Sequence, residues 1–106
     1  MASGILGTSA DLLATTLTTI YTVPTSTFAV ASINITNRNA TSVDVRLALA
    51  TSDTPNAADY IEYDVSVPAN AVLERTGLVL GASEKLVVYS DTANVSVVAY
   101  GIETAA

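Results

Sequence analysis

The chain contains no cysteine and no histidine. Without cysteine there are no disulfides, no thiolate metal ligands and no thiol nucleophile. Without histidine the usual general base and the commonest metal ligand are missing, so the many serine and threonine hydroxyls have nothing to activate them and a Ser-His triad is excluded. Charge is sparse: Asp, Glu, Lys and Arg make up 13% of the 106 residues. Only Arg38, Arg46, Arg75 and Lys85 oppose ten acids, giving a net charge of -6. That balance repels phosphate backbones, so nucleic acid is not an expected partner. The five glycines are scattered and form no phosphate-cradling loop. No apolar run approaches the length of a membrane helix. The opening MASGILGTSADLLATTL lacks the basic flank of a signal peptide. The expectation is a product made in the cytoplasm of its producer, with no membrane partner.

What is present is apolar and β-branched. Half of the residues are hydrophobic, with Val, Ala, Leu and Thr in excess, a composition that suits strands. A chain of this length buries roughly two thirds of its unfolded surface and folds as one domain without covalent staples.

The stretch from Asp59 to Gly101 organises the reading. Its apolar runs IEYDVSV, AVLERTGLVL, KLVVYS and NVSVVAYG are separated by PAN, GAS and DTAN, the grammar of an antiparallel meander. Residues 1–14 read as a flexible arm, with a short helical turn at 9–14 as a minor alternative, and residues 15–106 as a β-sandwich domain. Leu17 to Val23 reads as the first strand of that domain, closed by Pro24. Phe28 to Thr36 sets Ala29, Ala31, Ile33 and Ile35 on one face. Asn37 to Thr41 is a turn, because asparagine tolerates positive φ. Ser42 to Ala50 alternates most cleanly, with Val43, Val45, Leu47 and Leu49 inward. In the next run Ile61, Tyr63, Val65 and Val67 are predicted inward, with Tyr60, Glu62, Asp64 and Ser66 outward. Gly77 marks a bulge, and the last two runs, apolar on both faces, read as central strands. The expectation is an all-β, antiparallel β-sandwich or jelly-roll-like fold of seven to eight short strands.

Chemistry-bearing constellations are few. Asp53, Asp59, Glu62 and Asp64 are clustered carboxylates of the kind that hold calcium, but their spacing matches no calcium loop, and a solvated strand face is the stronger reading. Arg75 is expected to pair with Glu62 or Asp64. Asn34-Ile-Thr36, Asn39-Ala-Thr41 and Asn94-Val-Ser96 match the glycosylation triplet by chance in an Asn/Thr-rich chain. Five tyrosines and Phe28 offer stacking surfaces, several of which alternation assigns to the core. No catalytic, cofactor-binding or metal-binding residue is predicted, and an enzyme is not expected.

TLTTIYTVP near the start, INITNRN in the middle, and ADYIEYDVSVPANAVLERTGLVLGASEKLVVYS followed by VSVVAYGIE give the chain a likeness over residues 16–103. It resembles small virion structural proteins of tailed bacteriophages, particularly those of cyanophage type. The resemblance implies a β-rich module on the virion, assembled in the bacterial host cytoplasm. A capsid decoration (cement) protein is the leading expectation, with the major capsid protein or other virion proteins as partners and a homo-oligomer, trimer favoured. The arm would then lie on the capsid lattice or on a neighbouring copy. The alternatives are a tail-, neck- or fibre-associated module contacting host glycans, and a glycan-binding domain outside any virion.

Overall fold

Apolar residues that recur every second position can bury one side of an extended chain and leave its hydroxyl-bearing side wet. The computed structural model, which describes residues 2–106, resolves this pattern into eight antiparallel strands: β1 (Ser3–Leu12), β2 (Thr18–Thr22), β3 (Thr27–Asn37), β4 (Val43–Ala50), β5 (Tyr60–Val67), β6 (Val72–Leu80), β7 (Lys85–Ser90) and β8 (Val95–Ala105). They form two four-stranded sheets. Sheet I has the order β1-β8-β3-β6 and sheet II the order β2-β7-β4-β5. Among the described residues the only other regular element is a 3-10 turn at Ala57–Asp59.

The inward residues of both sheets meet in one core. Sheet I contributes Ala29, Ala31, Ile33 and Ile35 from β3 and Val95, Val97 and Ala99 from β8. Sheet II contributes Val43, Val45 and Leu47 from β4 and Leu86 and Val88 from β7. The two runs that are apolar on both faces are central strands: β7 lies between β2 and β4, and β8 between β1 and β3.

Residues 1–14, expected as a flexible arm, are different. From Ser3 to Leu12 they form β1, an edge strand paired with β8 and breaking register between Leu6 and Ala10. No helical turn forms at 9–12. The reason is burial: Leu6 and Leu12 enter the core, and each buried leucine favours the ordered strand by about 1.5–3 kcal/mol. Small residues between them had disguised the strand as an arm. Gly7 in this break has φ +67, and a Cβ there would lie 2.1 Å from the Ile20 carbonyl oxygen, so only glycine lets β1 cross β2.

Two bulges change the facing of β5. Val45 pairs with Val65 but Leu47 pairs with Glu62, so Tyr63 and Asp64 together oppose Arg46, and a second irregularity follows before Ala48 pairs with Tyr60. Tyr63 therefore points outward, while Glu62 turns toward the inner side at the open margin of the sandwich. This reverses the predicted facing of both residues. The expected bulge at Gly77 is present, with φ +68 and a register break in the β3–β6 ladder.

The loops at one end are tied by asparagine side chains. Asn37, almost fully buried, donates from Nδ2 to the carbonyls of Thr41 (2.9 Å), Val67 (3.1 Å) and Pro68 (3.1 Å). Its Oδ1 accepts from the Asn39 backbone N–H at 2.9 Å, and Asn39 Nδ2 reaches the Ala93 carbonyl at 2.8 Å. The turn after β3 thus rests on a side-chain hub. The asparagines that do adopt positive φ are Asn70 and Asn94, in other turns.

Candidate functional site

The four acids considered for a cation site are dispersed by the strand geometry. Asp53 accepts from the Thr19 hydroxyl at 2.7 Å and faces Lys85 Nζ at 3.6 Å; the Thr19 bond and then the Lys85 charge hold its pKa below the ordinary value. Asp59 accepts from the Asn56 backbone N–H at 2.8 Å, closing the 3-10 turn. Glu62 takes Arg75 at 2.6 Å. Asp64 takes Arg46 at 2.6 Å. Among the described residues no three His, Cys, Asp or Glu side chains converge to hold a metal ion, and no pocket opens. The molecule therefore presents faces.

The Arg75–Glu62 pair has an architectural position. Glu62 sits on β5, the edge of sheet II, and Arg75 on β6, the edge of sheet I. The pair spans the gap where the two sheets are not hydrogen-bonded to each other and covers the open margin of the core. Both side chains retain solvent contact, so its net worth is at most about 1 kcal/mol.

The outer face of sheet II carries the most ordered polar cluster. The guanidinium of Arg46 lies between two tyrosine rings, 4.1 Å from the Tyr63 centroid and 4.5 Å from that of Tyr89. Asp64 binds its Nε at 2.6 Å and its terminal nitrogen at 3.3 Å, which raises the pKa of Arg46 further. Tyr60 meets Tyr63 edge to face at 5.0 Å. The β5 bulge makes this possible, because two successive residues oppose one arginine and supply a ring and a carboxylate at once. Beside this cluster Ala48, Ala50 and Val87 face outward yet are buried, with Tyr60 packed against them. The loop from Thr51 to Asp59 is tied across this side by Asp53.

Sheet I carries its large exposed apolar residues on its outer side. Ile5, Phe28, Val30, Val72, Val79 and Ile102 are exposed there. The acid that shares this face on β6 is Glu74, which accepts from the Tyr100 hydroxyl at 3.0 Å; that bond raises the tyrosine pKa. Of the six aromatic residues only Tyr21 belongs to the core, fewer than alternation alone suggests. Its hydroxyl reaches Glu103 Oε2 at 2.5 Å, and Ala2 N–H donates to Glu103 Oε1 at 3.0 Å.

Of the three Asn triplets, Asn39 is occupied within the loop hub and Asn94 occupies a positive-φ turn position. Asn34 stands on the outer face of sheet I, where β3 pairs with Glu74 of β6. The Arg46–Tyr63–Tyr89 stack was hidden in the sequence because strict alternation sends Tyr63 inward. The available signal was Arg46 and Tyr89 on outward positions of neighbouring strands. No protein-family model, no curated protein and no solved structure matches the chain.

Proposed function

We propose that this chain is a structural component of a tailed-phage particle, and specifically a capsid decoration protein that stabilises the head shell by binding across capsid subunits. The observation that carries this reading is the strand order. Sheets ordered β1-β8-β3-β6 and β2-β7-β4-β5 support a jelly-roll reading, eight strands in two Greek keys, an architecture used by viral shells and by lectins. The argument from fold to function is by analogy, and the resemblance of residues 16–103 to small virion proteins supports taking the viral branch. Extended faces in place of a pocket suit a protein whose work is contact. A module that binds only the assembled lattice stabilises it by mass action, and attachment at several subunits multiplies modest contacts. With residues 3–12 committed to β1, attachment falls to the outer faces and loop ends. The partners are the major capsid protein and other copies of this chain, a trimer being the favoured state.

The Tyr60, Tyr63, Arg46 and Tyr89 group favours a second reading, a tail or fibre module whose rings stack on host-surface sugars. Cryo-EM of a particle carrying this chain separates the two. Density on the head at three-fold or quasi-three-fold positions is the expected result. Density confined to the tail would overturn the decoration reading in favour of the second, and absence from the particle would overturn both.

A further inference from the structure

Sheet II is finished on its outer side by the chain itself, whereas sheet I is left open. Val87 and Ala48, on outward positions of β7 and β4, are buried beneath their surroundings, and the loop after β4 is fastened there through Asp53 to Thr19 and Lys85. On sheet I the equivalent positions are large and uncovered. Ile5 is 66% exposed, Val79 64% and Ile102 52%, with Phe28 and Val30 each more than a third exposed. These residues are neighbours by register. Val30 of β3 pairs with Val79 on one side and Ile102 on the other, while Ser3 pairs with Ile102 and Ile5 with Tyr100. One row thus crosses all four strands as Ser3, Ile102, Val30 and Val79.

We propose that this half of the outer face of sheet I is where copies of this chain meet. The inference is independent of the capsid reading, and a face that meets the same face of another copy closes a two-fold dimer. Of three observations, charge chooses a second copy as the occupant, and the area and the edges bear on how it would bind. The first is charge: the row and its neighbours Ile5, Phe28, Ser32, Tyr100 and Thr104 include no acid or base charged at neutral pH, Glu74 bordering them where it accepts from the Tyr100 hydroxyl, in a chain whose net charge is -6. Two copies repel over most of their surfaces and least here, and an uncharged apolar face is complementary to itself. A basic partner would instead be drawn to the acids elsewhere.

The second is area. Half of this face, four strands about 4.8 Å apart with about five residues of each at ~3.3 Å per residue, projects roughly 300 Å². That is well short of the about 800 Å² each partner gives to a standard-size complex, so the association expected is weak and concentration-dependent. The third is the state of the edges. β1 breaks register between Leu6 and Ala10, and β6 carries the Gly77 bulge. Bulged edges resist strand addition, so association is directed to the face.

The test is sedimentation of the full chain from micromolar to submillimolar concentration, with Ile102→Lys, Val79→Lys and, as a control on the other sheet, Asp44→Lys. The expected result is concentration-dependent self-association of the parent chain. Each lysine on sheet I should weaken it at least about tenfold, because burying an unpaired ammonium costs more than the ~1.4 kcal/mol of one decade, and Asp44→Lys should not weaken it. Val79 lies on an edge strand and is well exposed, so Val79→Lys keeps the test valid if Ile102→Lys fails to fold. A parent chain that stays monomeric throughout, or an assembly equally tight in both sheet I variants, overturns the proposal. An assembly lost in those variants from a protein that binds no phage heads keeps this proposal and removes the capsid reading.

Discussion

Asn37→Asp changes one atom's chemistry and almost none of its volume, which makes it a sharp probe of the loop hub. In the native chain Nδ2 lies within hydrogen-bond reach of three carbonyl oxygens, and the residue is almost fully buried. A carboxylate oxygen in its place donates nothing and faces three partial negative charges. Losing the two amide donors costs about 1 kcal/mol each and leaves carbonyls short of partners at a further 1–3 kcal/mol, and the buried charge adds to this. The sum is about 4 kcal/mol. At ~2.1 cal/mol/K of unfolding entropy per residue, this is roughly 18 °C in Tm for a chain of this size.

The same environment raises the folded-state pKa of the introduced carboxyl above its ordinary ~3.9. The folded state then binds more protons than the unfolded state, so the deficit relative to Asn37→Ala is largest at neutral pH and shrinks as pH falls toward ~4. Calorimetric melts of both variants at pH 7 and pH 4 measure this directly. A Tm for Asn37→Asp within about 3 °C of the parent at pH 7, or a difference between the two variants that does not change with pH, would refute the hub.

The glycines separate steric from torsional cost. Gly101→Ala puts a Cβ 2.0 Å from the Val30 carbonyl oxygen and Gly7→Ala one 2.1 Å from that of Ile20, so each should lose more than about 3 kcal/mol in denaturant melts, whereas Gly77→Ala, with open space but φ +68, should lose about 1 kcal/mol. Deleting residues 1–8 should destabilise the fold by at least about 3 kcal/mol, because it removes buried Leu6 and uncovers an edge of β8; a deletion melting with the parent would return this segment to the status of an arm. Tyr21→Phe should flatten the pH–stability profile at both extremes. The Tyr21 hydroxyl bond and then Ala2 N–H depress the Glu103 pKa below its ordinary 4.5, so that contribution is present above pH 4.5 and lost on acidification. Burial, then the bond to Glu103, raises Tyr21 above its ordinary 10.0, so its contribution is present below pH 10 and lost on alkalinisation. Thermal melts across pH that are parallel for parent and variant would refute the coupling.

Much of the fold was legible because period-2 alternation is a local signal. Ala29, Ala31, Ile33 and Ile35 are buried as alternation requires, and the doubly apolar KLVVYS and NVSVVAYG runs sit at the centres of the two sheets. The reading fails where the ladder is irregular and in the pairing of strands: the meander expected over Asp59 to Gly101 does not form, because β5 to β8 alternate between the two sheets. In IEYDVSV, strict alternation carried through two bulges inverts Glu62 and Tyr63, and nothing in the residue types announces those bulges. Asp64, which takes φ +52 there, is a residue that tolerates that conformation without requiring it. Residues 3–12 were misread because Gly4, Gly7, Thr8 and Ser9 dilute the apolar pattern, and only the tertiary seat for Leu6 and Leu12 makes them a strand. Charge and chain adjacency leave Glu62 and Asp64 both open to Arg75, and the structure gives it Glu62. That the pair bridges two sheets was not legible, since sheet membership depends on strand order, which alternation does not encode.

The placement of β8 governs how this chain can fold. Its latest strand lies in the middle of sheet I, where β1 and β3 both pair with it. Neither long ladder can form until residues 95–105 have arrived, and Ser3 finds its partner Ile102 across nearly the whole chain. β2 and β7 are likewise distant in sequence. A topology this rich in non-local pairing folds on the slow end of the scale for its size, in milliseconds to seconds. Throughout that interval β1 and β3 present unpaired edges beside the apolar row of sheet I. Crowding among newly made chains is then a hazard that rises with expression level, and slow, dilute synthesis should yield more folded protein than a rapid burst.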